Sequence, residues 1–228
     1  MIARTVEDHL REEYFRLLPG VRRIAEELET EVRHCLLPLL DTLDKHEKLR
    51  VTSRIKDCES ALGALRRRQE GAIFDPGQVD RYSLSSLHDL AGVRVLAFPR
   101  RIWVEADRVL RRHPQFASWT SDPVRLWPNE EQLLAFKYHG YCSRSASLRA
   151  ELQIAPMLIG LFWEVEHSAI YKLSPQFKGV LAGMNERTRK VYEALTDFEF
   201  EFERLIRRDS LILKRKKKKK KKRRRKTS

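Results

Sequence analysis

Between residues 49 and 175 the hydrophobic pattern switches repeatedly between a period of two and a period near 3.6. That alternation constrains the fold more than any other feature. VTSRI (51–55) reads as a strand and ESALGALRRR (59–68) as a helix. GVRVLAF (92–98) is a clear strand that puts Val93, Val95 and Ala97 on one face, because strand side chains alternate. Residues 100–112 read as helix, VRLW (124–127) as a short strand before Pro128, RAELQI (149–154) as a strand, and 157–170 as helix. Such alternation predicts an α/β (α+β) domain, a mixed sheet surrounded by helices.

The flanks differ. Residues 1–48 predict an N-terminal helical segment, with Thr5 as cap and Asp8 as its capping-box partner. Leu10, Tyr14, Leu17 and Leu18 carry one apolar stripe, Pro19-Gly20 predicts a break, and Val21, Ile24, Leu28, Val32 and Leu36 carry a second. A further helix is expected over 178–210, within a C-terminal segment 176–213, with Val180, Leu181, Met184, Val191, Leu195, Phe198 and Phe202 on its apolar side. Residues 214–226 are thirteen consecutive Lys and Arg. Taking these from the 46 Lys and Arg leaves 33 against 32 Asp and Glu, so the net charge of +14 belongs almost wholly to the tail. A like-charged run buries nothing, and 214–228 is expected to be disordered.

Other classes are disfavoured. Met157 to Trp163, the longest apolar stretch, is too short to cross a bilayer, and the N-terminus lacks a signal-peptide core, so the expected compartment is cytoplasmic, with no membrane partner. Cys35, Cys58 and Cys142 form neither a CxxC pair nor a disulfide framework.

Candidate chemistry lies in scattered polar residues. Glu151 and Gln153 share one face of a strand, and Asp89 stands just before another. Two carboxylates on neighbouring strands could share Mg²⁺, a hard cation that prefers oxygen ligands. Arg54 and Lys56 share a face, Arg66, Arg67 and Arg68 follow, and Arg94 lies on the clear strand; such a set suits a triphosphate, although a solvated basic face fits the bare pattern too. KYHGY (137–141) is expected as a turn whose Tyr141 could stack on a base.

Taken in order, SRIKDCES (53–60), HDLAGVRVL (88–96), KYHGY (137–141), ELQI (151–154) and WEVEHSAIYK (163–172) resemble the motifs of the RelA/SpoT synthetase domain. The resemblance covers about half the chain and matches the short, single-domain members. It implies a nucleotidyltransferase-like core over 49–175 that transfers pyrophosphate from ATP to a 3′-hydroxyl of GDP or GTP, with Mg²⁺ as cofactor. Arg54 and Arg94 would hold the adenine, while Lys56, Ser60 and Arg67 would contact the phosphates. Asp89 would bind Mg²⁺, and Glu151 would bind Mg²⁺ or act as base. Tyr141 would stack on the acceptor base, Lys137 would help hold the acceptor, and His167, Tyr171 and Lys172 would be structural. A homo-oligomer is also implied.

The sequence departs from the family pattern at Ala64, where a Lys is usual, at Cys142 and Ser145, where the acceptor loop has Arg and His, and at Ala155, where the strand ends in Arg. The stretch from Tyr141 to Glu151 is short, and DKHEK (44–48) lacks the His-Asp pair of the hydrolase domain. The loss of Lys at Ala64 removes one phosphate contact, so the donor and metal side is largely kept while the acceptor side is altered. Three functions therefore stay open: guanosine tetra- or pentaphosphate synthesis; the same chemistry on a tRNA 3′ end or an adenine nucleotide; and a non-catalytic RNA- or ribosome-binding role through the basic run 214–226.

Overall fold

The structure, a computed structural model, describes residues 5–125, 133–142, 148–169 and 186–208, with backbone only for 167–169. Several expectations lie outside the described residues: the tail 214–228, Ser145, Leu126 and Trp127, the side chain of His167, Tyr171 and Lys172, and Val180, Leu181 and Met184 of the C-terminal helix.

One long helix, α1 (Val6–Leu40), replaces the two helices expected at the N-terminus. Thr5 and Asp8 form the capping box. Pro19 lies inside the helix. The reason is phase: Leu10, Tyr14, Val21, Ile24, Leu28, Val32 and Leu36 are all buried along one face that runs through the proline. An interior proline costs ~3 kcal/mol. Each buried Leu, Ile or Val returns roughly 1.5–3 kcal/mol, so tertiary burial wins over the local break signal.

The sheet has strands β1 (Lys48–Ile55), β2 (Ala91–Phe98), β3 (Thr120–Ser121), β4 (Val124–Arg125), β5 (Leu133–Tyr141) and β6 (Arg149–Pro156). Their order is β1-β2-β6-β5-β3, with β4 paired to β5. β2 and β6 are parallel, and the other pairs are antiparallel. The two carboxylate-bearing segments are thus on neighbouring strands. The helices are α1, α2 (Cys58–Arg66), α3 (Arg100–Arg112), α4 (Met157–Ala169) and α5, which spans residues 186–208.

The register separates two faces. Val51, Val93, Val95, Leu152, Ile154 and Tyr138 form the apolar face of the sheet within the main core. Helices α1 and α3 pack against it. Trp103 of α3 fixes the layer, donating Nε1–H to the Ile154 carbonyl at 2.7 Å and stacking on Phe136 at 4.6 Å. The opposite face carries Arg54, Gly92, Glu151 and His139 in one row across four strands, and Thr52, Arg94, Gln153 and Lys137 in the next. One step further along, that face turns apolar at Leu96, Ala155 and Ala135, where Met157 and Trp163 of α4 pack. Among the described residues the polar rows lie beside α4.

Two expectations are corrected. KYHGY is the end of β5, not a turn, because Tyr138 points into the core while Lys137, His139 and Tyr141 share the polar face. Gly140 is required there by close approach: a Cβ would lie 2.4 Å from the Trp119 ring. On α5 the buried residues are Thr188, Tyr192, Thr196, Glu199 and Glu203, whereas Val191 and Phe198 are exposed. The polar members find partners: Thr196 donates to the Tyr192 carbonyl, Glu199 accepts from the Leu158 N–H and Glu203 pairs with Arg207.

Candidate active site

Glu151 is the centre of the polar face. It is only 1% exposed, buried because β6 is an inner strand. A buried carboxylate needs compensating charge, and two cations supply it. Arg54 reaches over from β1 to pair with Oε1. Lys137 Nζ lies 2.9 Å from Oε2. That contact is an ion pair by distance, yet its angle aims no hydrogen bond at Oε2, a buried oxygen without a donor among the described residues. The Arg54 side chain crosses the sheet above Gly92. A Cβ at Gly92 would stand a tight 3.1 Å from the Glu151 carbonyl and in ordinary contact, 3.4 Å, with Arg54 Nε, so glycine eases the close approach of β2 to the Glu151 backbone.

Arg94 occupies the next row. Its side chain is 11% exposed, and it donates through Nε to Gln153 Oε1 at 3.1 Å and through Nη1 to Glu164 of α4 at 3.3 Å. Burial and then the neighbouring Arg54 charge push the Arg94 guanidinium down from its ordinary value. At the end of β1, Lys56 pairs with Asp89. Burial raises the Asp89 carboxyl, but Lys56, Arg54 and Lys137 outweigh it and hold the group below the usual carboxylate range. The influence of Lys137 on Asp89 ties the two carboxylates to one electrostatic site. Tyr14 of α1 anchors this corner by donating to the Lys56 carbonyl at 2.9 Å.

Helix α2 follows at once, capped by Asp57, whose carboxylate accepts from Ser60 N–H and from Ser60 Oγ at 2.8 Å. Ser60 and Arg67 lie seven residues apart and therefore on one face of the helix. Arg67 passes over Gly63, with Nη1 3.5 Å from where a Cβ would sit. The other two arginines of the triplet bind the fold together: Arg66 pairs with Glu7 of α1, and Arg68 donates to the Ser86 carbonyl at 3.2 Å.

Tyr141 ends β5, 49% exposed, with its register partner Arg149 against the ring at 5.3 Å. Cys142, which stands where the acceptor loop has Arg, is buried in the main core, where burial pushes its thiol up to about 12. It offers nothing to a ligand.

No family model and no curated protein matches the sequence. Solved structures do. Small alarmone synthetase 1 from Bacillus subtilis matches with a TM-score of 0.61 at 18% identity, over 86% of this chain and 98% of that one. The same protein bound to AMPCPP matches at 0.58 and 18%, over 84% and 96%. A GTP pyrophosphokinase family protein from Streptococcus pneumoniae matches at 0.59 and 16%, over 86% and 96%. The chain has the RelA/SpoT synthetase-domain fold. At these identities the likeness is one of fold.

Within this synthetase-domain fold, Arg54, Lys56, Asp89, Arg94, Lys137 and Glu151 meet on one sheet face, joined by the ion pairs and fields described above. Ser60 and Arg67 stand apart on the exposed face of α2, and Tyr141 stands at the far end of β5. His139, opposite Glu151 in register, and the pair His88 and Arg149 escaped the sequence reading. The alternation Lys137, His139, Tyr141 was the available signal, hidden by reading KYHGY as a turn. Among the described residues no three His, Cys, Asp or Glu gather as a metal cluster. Two carboxylates do suit Mg²⁺, which commonly takes one or two protein carboxylates and fills its shell with water and substrate phosphates. The donor-free Oε2 of Glu151 fits such a ligand. Among the described residues no helix is long and apolar enough to cross a membrane.

Proposed function

We propose that this protein is a pyrophosphokinase that transfers the β,γ-pyrophosphate of ATP to the 3′-hydroxyl of GDP or GTP, giving (p)ppGpp and AMP. The observation that carries the reading is Glu151, buried at the centre of a cationic sheet face with Arg54 on one oxygen and Lys137 beside the other. The neighbouring fold supports it: the Bacillus subtilis synthetase has been seen with AMPCPP and with its product pppGpp.

In this reading Arg54 and Arg94 sandwich the adenine, and Lys56, Ser60 and Arg67 hold the phosphates. A triphosphate competes with Asp89 and Glu151 for the same cations, so ATP loosens the Lys56–Asp89 and Arg54–Glu151 pairs. Asp89 would hold Mg²⁺, which would neutralise charge on the transferring group, leaving Glu151 as the base. Tyr141 stacks on the acceptor base and Lys137 steadies the acceptor. The acceptor 3′-oxygen attacks the β-phosphorus, the bond from Pβ to the α,β-bridging oxygen breaks, and AMP leaves. The hydroxyl proton passes to Glu151 Oε2. Positioning and fixed charge supply most of the acceleration.

A second reading keeps the chemistry and changes the acceptor to a tRNA 3′ end or an adenine nucleotide. Burial of Cys142 favours it, since the loop arginine that would face a guanine nucleotide has no replacement at that position. The basic run 214–226 would then bring RNA through counterion release.

The test is label transfer from γ-labelled ATP with Mg²⁺ to GDP, GTP, ATP or uncharged tRNA, with Glu151→Gln as control. Label on GDP or GTP that vanishes in the control establishes the first reading. Label only on tRNA or ATP replaces it with the second. Absence of Glu151-dependent transfer to any acceptor removes both.

A further inference from the structure

Beyond Glu151, on the same polar face, the sheet opens into a cleft of about 250 Å³ lined by Ser85, Ser86, His88, Tyr141 and Arg149. Arg149 precedes Glu151 by two residues on β6, so both side chains rise from one face ~7 Å apart along the strand. The cleft therefore continues the candidate active site toward the acceptor side.

Arg149 is unlike the other arginines of this face. Arg54 and Arg94 each pair with a carboxylate. Among the described residues Arg149 has none: its polar contact is His88 Nε2 at 3.0 Å, and its guanidinium lies against the Tyr141 ring. Arginine only donates, so His88 Nε2 accepts and the imidazole there is neutral. Burial, followed by the charges of Arg149, His139 and Arg68, lowers the His88 pKa and agrees with that tautomer. The nearby acids are committed elsewhere, Asp89 to Lys56 and Asp122 to His139 at 3.4 Å.

The opposite wall is held firmly. Buried Glu13 of α1 accepts from Ser83 Oγ at 2.5 Å and from Leu84 N–H at 2.8 Å, which fixes the single turn Leu84–Ser86. Arg68 ties the same turn through the Ser86 carbonyl. A half-exposed aromatic ring, a guanidinium without a carboxylate partner among the described residues and a rigid wall carrying two hydroxyls form a site for a nucleotide whose phosphate meets the arginine.

We propose that this cleft is the acceptor-phosphate subsite, in which Arg149 binds the 5′-phosphate of a free nucleotide whose base lies on Tyr141 and whose 3′-hydroxyl reaches Glu151. The inference rests on the pyrophosphokinase reading and deepens it. It supplies, from the strand, the cation that the loop lacks where Cys142 turns into the core. Arg149 holds the guanidinium on one side of Tyr141, leaving the other side of the ring to the base.

The experiment compares the full chain with Arg149→Gln and Arg149→Lys. Transfer kinetics are taken with GDP and with phosphate-free guanosine, and binding of both is measured by calorimetry. Loss of a charged hydrogen bond is worth about ten- to a hundredfold. Arg149→Gln is expected to raise the KM for GDP by that factor while leaving the KM for ATP and the use of guanosine unchanged. Arg149→Lys should fall between, keeping charge without the planar fork. Unchanged melting shows that the variants fold. An unchanged KM for GDP, or equal losses with GDP and guanosine, overturns the subsite while leaving the reaction standing. Transfer to tRNA alone also overturns it. If the wild-type protein transfers to nothing, the proposed function fails, and calorimetry still decides the subsite: GDP binding lost in Arg149→Gln supports it, and absent or unaltered GDP binding overturns it.

Discussion

Lys137 and Glu151 face each other diagonally across β5 and β6, with Nζ 2.9 Å from Oε2 and no hydrogen bond aimed at that oxygen. Lys137→Met leaves Arg54 as the single cation paired with a buried carboxylate. Breaking one arm of such an arrangement costs ~1–3 kcal/mol of stability. Transfer should fall about ten- to a hundredfold. The double variant Lys137→Met/Glu151→Gln removes the buried charge but leaves Arg54 beside a neutral amide, so it should regain part of the lost stability and none of the activity. Urea unfolding beside label transfer separates the two effects. A double variant less stable than Glu151→Gln alone would mean that Lys137 holds something other than Glu151.

Gly92 lets β2 lie close against the Glu151 backbone. In Gly92→Ala the new Cβ meets the Glu151 carbonyl at 3.1 Å and Arg54 Nε at 3.4 Å. The tight contact is with the β6 backbone, which cannot yield without moving Glu151, whereas the contact with Arg54 is an ordinary one. Overpacking of this kind costs ~1–3 kcal/mol, and misplacement of a positioning group near 1 Å can cost on the order of a hundredfold in rate. The KM for ATP should rise and kcat should fall, with the melting temperature lowered by several degrees. A variant with wild-type kinetics would show that β6 absorbs the methyl without displacing Glu151.

The strands and helices that position Glu151 were readable because their pattern is set by burial on one side. Val93, Val95 and Ala97 alternate inward, and β2 is an inner strand. β5 was misread because its outward residues, Lys137, His139 and Tyr141, serve the site rather than solvent, and because Gly140 answers to Trp119 rather than to a turn. The donor residues were legible as a set only through their ordered resemblance to a family. Their joining into one site, through Arg54–Glu151 and Lys56–Asp89, is a property of strand order and could not be read from separate segments. His88 and Arg149 stand 61 residues apart in sequence, and nothing local marks either. On α5, hydrophobicity placed Phe198 inward and Glu199 outward; the Leu158 N–H and Arg100 reverse the order.

Glu199 yields a pH dependence. Burial raises its pKa to about 7, with Leu158 N–H and Arg100 opposing and Glu203 adding to the rise. The folded state binds this proton more tightly than the unfolded state does. Its contribution is therefore fully present below the ordinary glutamate range and is lost as pH rises toward about 7. Glu199→Gln keeps an acceptor for Leu158 N–H and removes the charge. The variant should match wild type in acid and gain stability progressively up to about pH 7, by ~1.4 kcal/mol per pH unit over that window. Thermal melts from pH 4 to 8 check it. A constant difference across the range would show that Glu199 titrates normally.

Helix α1 holds a local defect that its burial overrides, and removing the defect should stabilise the protein without touching the site. Nothing lies within 4 Å of where a Cβ at Gly20 would stand, and the residue sits inside a continuous helix. Gly20→Ala should therefore gain ~0.5–1 kcal/mol from the lower entropy of the unfolded chain. Pro19→Ala restores a backbone donor in the same turn and should add to the gain. Had the chain preferred two helices with a break at Pro19-Gly20, Gly20→Ala would straighten a bend that the packing needs and would destabilise. Chemical denaturation of the single and double variants reads the sign directly. Stabilisation with unchanged transfer supports one helix bound along the sheet, and destabilisation restores the break that the local sequence suggests.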